Sequence, residues 1–136
     1  MGVEELPVEE LARRFIDGFN RRDGDALVEL SHPRIEFLPT ILVGQRAVYH
    51  GHDGLRRWVE DLRSSNAAHE VRLRSVLVLS ADRFVALCEV LLDGELLSPS
   101  AMLASLEDGL IVWAKAYLSD ERTLVRVGVL PPPELD

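Results

Sequence analysis

Residues 71–118, VRLRSVLVLSADRFVALCEVLLDGELLSPSAMLASLEDGLIVWAKAYL, read as four strands joined by short turns. Asp93-Gly94 and Asp108-Gly109 are two-residue hairpin signals, because both central positions of such a turn need positive φ and these residue types tolerate it. Ala81-Asp82, between Ser80 and Arg83, is a weaker third. Two-residue loops set register. They predict Arg74 opposite Glu89, Glu89 opposite Ser98, Leu103 opposite Ala114 and Met102 opposite Lys115.

Alternation then sorts the side chains into two faces. One, expected to be the inner face, receives Val71, Leu73, Ser75, Leu77 and Leu79, then Ala86, Cys88, Val90 and Leu92. From the last two strands it takes Pro99, Ala101, Leu103 and Ser105, then Leu110, Val112, Ala114, Ala116 and Leu118. No acid, base or histidine falls on it. The outer face carries Arg72, Arg74, Glu89 and Lys115, and the opposition of Arg74 and Glu89 suggests a cross-strand ion pair. It also carries Leu87, Leu91, Met102, Trp113 and Tyr117, which a monomer would expose. Such a patch predicts a partner, most simply a second copy in a sheet-to-sheet homodimer.

The preceding segment is helical. Val8, Leu11, Ala12, Phe15, Ile16 and Phe19 recur at helical spacing after Pro7, with Glu9 and Arg13, and Glu10 and Arg14, four apart on the opposite side. A short second helix over Asp25 to Leu30 stops at His32-Pro33, Arg34 to Leu38 alternates as a strand, and Arg46 to Tyr49 can form a short edge strand. A third helix, capped by His52 or Asp53, buries Leu55, Trp58, Val59 and Leu62 and exposes Arg56 with Glu60 and Arg57 with Asp61. Asp120 caps a final short turn through Val125, with Gly128 beyond it. The expected fold is α+β: three N-terminal helices cover a strongly curved, mostly antiparallel sheet, leaving a cone. Residues 1–130 form one domain, and 131–136 read as a disordered tail.

At 136 residues the chain is long enough for one substantial core, and its net charge of -8 leaves no basic patch for nucleic acid or an anionic membrane. No apolar run can span a bilayer and no start resembles a signal peptide, so a cytoplasmic location is expected. Cys88, the single cysteine, reads as a small hydrophobe in a strand. Phosphate-binding loops, dinucleotide fingerprints and serine-nucleophile elbows are missing, and no cofactor is expected.

The segment Asn20, Asp23, Ala26-Leu27, then Ile35-Glu36-Phe37, then Tyr49 through Gly54 running into the Leu55 to Leu62 helix, and finally Asp108 through Ile111 with Tyr117-Leu118, resembles the SnoaL-like branch of the NTF2-like superfamily. That resemblance covers nearly the whole chain and implies a cone-shaped fold. It also invites comparison with ketosteroid isomerases, which place a tyrosine on the first helix, an aspartate base at the first strand's end and a protonated acid on a late strand. Here those positions align with Phe15, Phe37 or Leu38, and Ala101. Hydrocarbon supplies neither base nor enolate donor. The expected pocket is therefore apolar, takes a small hydrophobic molecule, and is lined by Phe15, Phe19, Phe37, Arg46, Trp58, Leu62, Ala101 and Leu103.

Chemistry, if present, belongs to the rim, where His50 is the candidate base and Tyr49 the candidate donor for cyclase- or isomerase-type proton transfer. A cavity of roughly 300 Å³ or more, with both residues turned into it, would mark such a site. His50-x-His52 with Asp53 also has a metal-like spacing, but the third ligand falls on a helix start that points elsewhere, so no metal is expected.

Overall fold

A computed structural model describes residues 6–39, 48–65 and 69–132. Its elements are α1 (Val8–Asn20), α2 (Gly24–Glu29), β1 (Ser31–Leu38), β2 (Tyr49–His50), α3 (Gly51–Ser64), β3 (His69–Ser80), β4 (Arg83–Leu92), β5 (Glu95–Glu107), β6 (Leu110–Tyr117) and α4 (Glu121–Arg126). One six-stranded sheet runs in the order β2-β1-β6-β5-β4-β3. Only the β1–β6 pairing is parallel. This is the expected α+β cone, with α1 and α3 packed on one face of the curved sheet.

The helices follow local chemistry. Leu11, Ala12, Phe15, Ile16 and Phe19 are all buried on one side of α1. At its end the Asn20 side chain both donates to the Val71 carbonyl and accepts from the Val71 N–H, each at 2.8 Å, so an amide stands in for a neighbouring strand at the edge of β3. Asp23 caps α2 by accepting from the Ala26 N–H at 3.1 Å. Surface pairing is rearranged by tertiary neighbours. Glu10 takes both Arg13 and Arg14, Arg56 pairs with Asp25 of α2, and Arg63 approaches Glu60. The start of α3 also differs from expectation: His50 occupies its N-cap without a side-chain bond, and His52 instead meets the Ser31 carbonyl at 2.9 Å.

All three hairpins close where the turns predict, with Ser80 opposite Arg83, Leu92 opposite Glu95, and Glu107 opposite Leu110. Asp93, Gly94, Asp108 and Gly109 have positive φ, as two-residue turns of this type require. A bulge beside each turn then shifts the register by one residue, and a second bulge interrupts β3 between Leu73 and Ser75. Glu89 consequently faces Arg72 and Pro99, Leu103 faces Lys115, and Met102 faces Ala116. The Arg74 guanidinium still reaches Glu89 at 3.0 Å, so the ion pair forms without direct opposition.

An extra residue reverses the side-chain alternation beyond it. Val71, Leu73, Ala86, Cys88, Val90 and Ala114 remain on the inner face, but β5 is inverted and the far half of β3 with it. Met102 and Ala104 join the inner core, beside α1 and α3, together with Val76. Ala101 and Leu103 pack instead on the outer face with Val85. The corrected inner wall is as uncharged as the expected one.

The outer face is not bare. Gly128, at φ +83°, turns the chain after α4, with the Val129 and Leu130 N–H groups donating to the Leu124 carbonyl at 2.9 and 3.2 Å. Leu124 and Leu130 then complete a second core over Val85, Ala101 and Leu103, against which Leu87, Trp113 and Tyr117 lie half-buried. Leu91 is buried and Met102 has turned inward. Much of the cover expected from a second copy thus comes from the chain's own C-terminal segment.

Gly51, at φ +69°, joins β2 to α3 and brings the helix close beneath β2. A Cβ placed on Gly54 would stand 2.9 Å from the Tyr49 carbonyl carbon. Gly54→Ala should therefore lower the unfolding free energy by about 1–3 kcal/mol through overpacking, outweighing alanine's helix preference of up to about 1 kcal/mol. Urea denaturation of the variant measures this, and unchanged or higher stability would refute the close approach.

Candidate functional site

The inner core encloses a cavity of about 30 Å³, enough for a single water and far below the roughly 300 Å³ expected of a ligand-processing site. Phe15, Ile16 and Phe19 of α1 form one wall, Phe37 and Trp58 another, and Val71, Cys88, Ser100, Met102 and Ala116 the sheet side. Four aromatic rings contact one another in these walls. Phe37 lies 4.4 Å from Trp58 and 5.9 Å from Phe15, while Phe19 stacks on Trp58 at 5.2 Å. All of these wall residues are buried, none more than 8 % exposed.

The cavity's chemistry is sparse. Burial pushes the Cys88 thiol up to about 12, and its sulfur points to the Ala86 carbonyl at 3.6 Å, so it is an inert wall group. Ser100 contributes a hydroxyl-bearing side chain. The indole N–H of Trp58 is buried with no hydrogen-bond partner among the described residues. Among the described residues, no carboxylate, histidine or tyrosine lines this space.

Four of the expected lining residues, Phe15, Phe19, Phe37 and Trp58, are brought together here. Leu62 is buried in the same core without lining the cavity, and Arg46 lies outside the described residues. Ala101 and Leu103 are corrected to the opposite face, because the bulge between Val90 and Leu91 reverses β5. Ser100 and Met102 take their place. Proline in a strand often marks a bulge or an edge, and Pro99 was the signal in the sequence that could have raised this. The late-strand position compared with an isomerase acid is therefore occupied by Ser100 or Met102, and it still lacks a carboxyl.

Tyr49 and His50 do not line the cavity. The Tyr49 hydroxyl, on a nearly fully buried side chain, donates to Asp61 at 2.5 Å, tying β2 to α3. His50 is exposed and borders a separate surface cleft of about 140 Å³ with Asp53 and Arg57.

Polar groups converge in three other places. A wide groove of about 670 Å³ between the α1–α2 turn and α3 is lined by Arg21, Arg22, Arg56, Arg57 and Arg63 interspersed with Asp23, Asp25 and Glu60. Near the start of β1, His32 Nε2 and the Arg34 guanidinium both meet Glu107, at 2.9 and 2.6 Å. The Arg34 backbone N–H donates to His32 Nδ1, which leaves the ring proton on Nε2 and directed at Glu107. Asp108 lies beside them in a cluster with metal-like composition, but Arg34 already neutralises Glu107. At the edge of β3, Arg22 packs over Phe19 and donates to the Phe19 and His69 carbonyls at 2.8 and 3.0 Å.

The matching family model, a SnoaL-like domain, covers residues 12–114, and the chain belongs to that family. Solved structures share its fold at low identity. An NTF2-like protein of unknown function from Cytophaga hutchinsonii is 16 % identical, covering 91 % of this chain and 98 % of its own, with a TM-score of 0.63. A candidate polyketide cyclase from Sinorhizobium meliloti is 18 % identical over 82 % of this chain and 95 % of its own, at 0.64. A candidate isomerase of the SnoaL-like family from Agrobacterium tumefaciens is 13 % identical over 82 % and 96 %, at 0.67. No curated protein matches the chain by sequence.

His69 makes stability depend on pH. Burial and the nearby Arg22 charge hold its pKa below the ordinary value, and its Nδ1 is buried without a partner among the described residues. The unfolded chain thus takes up the proton first, near pH 6.5, so stability is full above that pH and declines as pH falls through 6.5 toward the lower folded value. Urea midpoints at pH 8 and pH 5.5 should differ more for the wild type than for His69→Gln. Equal differences would remove His69 as the cause.

Proposed function

We propose that this chain binds a small hydrophobic molecule in the cone between α1, α3 and the sheet, without isomerase chemistry of the ketosteroid type. One observation carries the reading: the small cavity between α1, α3 and the sheet is walled by hydrocarbon and aromatic side chains. General acid–base catalysis needs a titratable group within hydrogen-bond reach of the reacting atom, and these walls supply none. Met102, unbranched and flexible, is the wall residue best able to move aside and enlarge the space for a ligand. A cyclase or isomerase mechanism would need its acid or base from outside these walls, which makes it the less supported reading despite the names of two structural relatives.

Native mass spectrometry of the purified protein should detect an adduct with an apolar compound. Ala116→Phe, which fills the cavity from the sheet side, should abolish the adduct while leaving the far-ultraviolet circular dichroism unchanged. An adduct that survives this substitution would place binding elsewhere.

We also propose a homodimer across the outer face, supported by Leu87, Trp113 and Tyr117 being only half-buried there. Light scattering should return twice the chain mass. A monodisperse monomer would overturn the dimer and leave the ligand reading intact.

A further inference from the structure

We propose that the groove between the α1–α2 turn and α3 is an anion site for a small molecule carrying a phosphoryl group, held by guanidinium groups from both walls. It lies outside the aromatic cavity and stands independently of hydrophobic binding in the cone.

Five of the chain's fourteen arginines line this groove, Arg21 and Arg22 on the turn and Arg56, Arg57 and Arg63 on α3, against three carboxylates. In a chain of net charge -8 this is a local reversal of sign, which draws anions here and away from the rest of the surface. The carboxylates are already engaged. Asp23 caps α2 with one oxygen and meets Arg21 with the other at 3.2 Å, Asp25 pairs with Arg56, and Glu60 comes within 3.7 Å of Arg63. Arg57 is left over. Helical spacing pairs it with Asp61 one turn on, but Asp61 accepts the Tyr49 hydroxyl instead, and the exposed Arg57 guanidinium has no partner among the described residues.

Its neighbours on α3 are held across the gap. The Arg63 guanidinium donates to the Arg22 carbonyl at 2.7 Å, and that of Arg56 reaches Asp25, so bonds between the walls set their separation before a ligand arrives. A tetrahedral phosphoryl group offers oxygens in several directions at once and can accept forked N–H pairs from both walls, whereas a planar carboxylate accepts them in one plane. The groove's volume of about 670 Å³ suits a small molecule, and its own carboxylates repel an extended polyanion.

Inorganic phosphate and succinate, an anion of similar charge with planar carboxylates, are titrated separately into the nitrogen-15 labelled full chain at pH 6.5 and constant ionic strength, following the arginine Nε–H resonances. Phosphate should shift the groove arginines saturably and leave Arg72 and Arg74, on β3, in place. Its affinity should fall roughly five- to tenfold in Arg57→Gln, the loss of one charge-assisted contact at an exposed site, and stay unchanged in Arg72→Gln. Phosphate should also bind at least about threefold more tightly than succinate. Shifts that grow linearly without saturation, or that appear equally at Arg72, would overturn the site. So would an unchanged affinity in Arg57→Gln. Succinate binding as tightly as phosphate would overturn the phosphoryl assignment. Arg57 is exposed and unpartnered, so its replacement should leave the fold intact; should the variant nevertheless misfold, the wild-type shifts alone decide between these outcomes.

Discussion

The contact between Phe37 and Trp58, extended to Phe15 and Phe19, holds the two layers of this protein together. Those four rings come from α1, β1 and α3, so one cluster joins both covering helices to the strand that starts the sheet. Aromatic pairs of this kind contribute about 0.5–1.5 kcal/mol beyond their buried area, whereas exposed ion pairs such as Arg13–Glu10 contribute about 0–1 kcal/mol. The layers are therefore held by the rings rather than by the charged helix surfaces. The same four rings form part of the cavity wall.

The second constraint is the set of bulges that follows each tight turn. A two-residue turn closes the hairpin in its own register, but a long sheet that must curve around two helices cannot keep every strand in phase. Extra residues on β3, β5 and β6 absorb the mismatch. On β5 this brings Ser100 and Met102 to the cavity and sends Ala101 and Leu103 to the second core, under the segment that returns from α4.

Membership in the SnoaL-like family supplies the cone, and the walls of this cone limit what it does. Fold alone does not carry activity, which depends on the groups at a site. Here the cavity walls are hydrocarbon, four aromatic rings, one buried thiol and one serine. The titratable clusters, at Arg22 with His69 and at His32 with Glu107, do not line the cavity and tie elements of the fold together.

Much of this was legible beforehand. The element order, the three hairpin turns, the burial of Phe15, Phe19, Phe37 and Trp58 and the cap at Asp120 all follow from local rules: helical spacing, turn chemistry and side chains that satisfy nearby backbone groups. The absence of charge on the inner wall was also determined by sequence alone. Both alternation phases of β5 in this stretch, Ala101 and Leu103 or Ser100, Met102 and Ala104, are free of titratable groups, so the conclusion survives the change of register. Which phase faces the cone was decided only in three dimensions. A bulge forms where sheet curvature and two covering layers compete for the same strand, and no short stretch of sequence contains that competition. For the same reason the placing of Tyr49 against Asp61, and the roofing of Trp113 and Tyr117 by Leu124 and Leu130, came only with the packed structure.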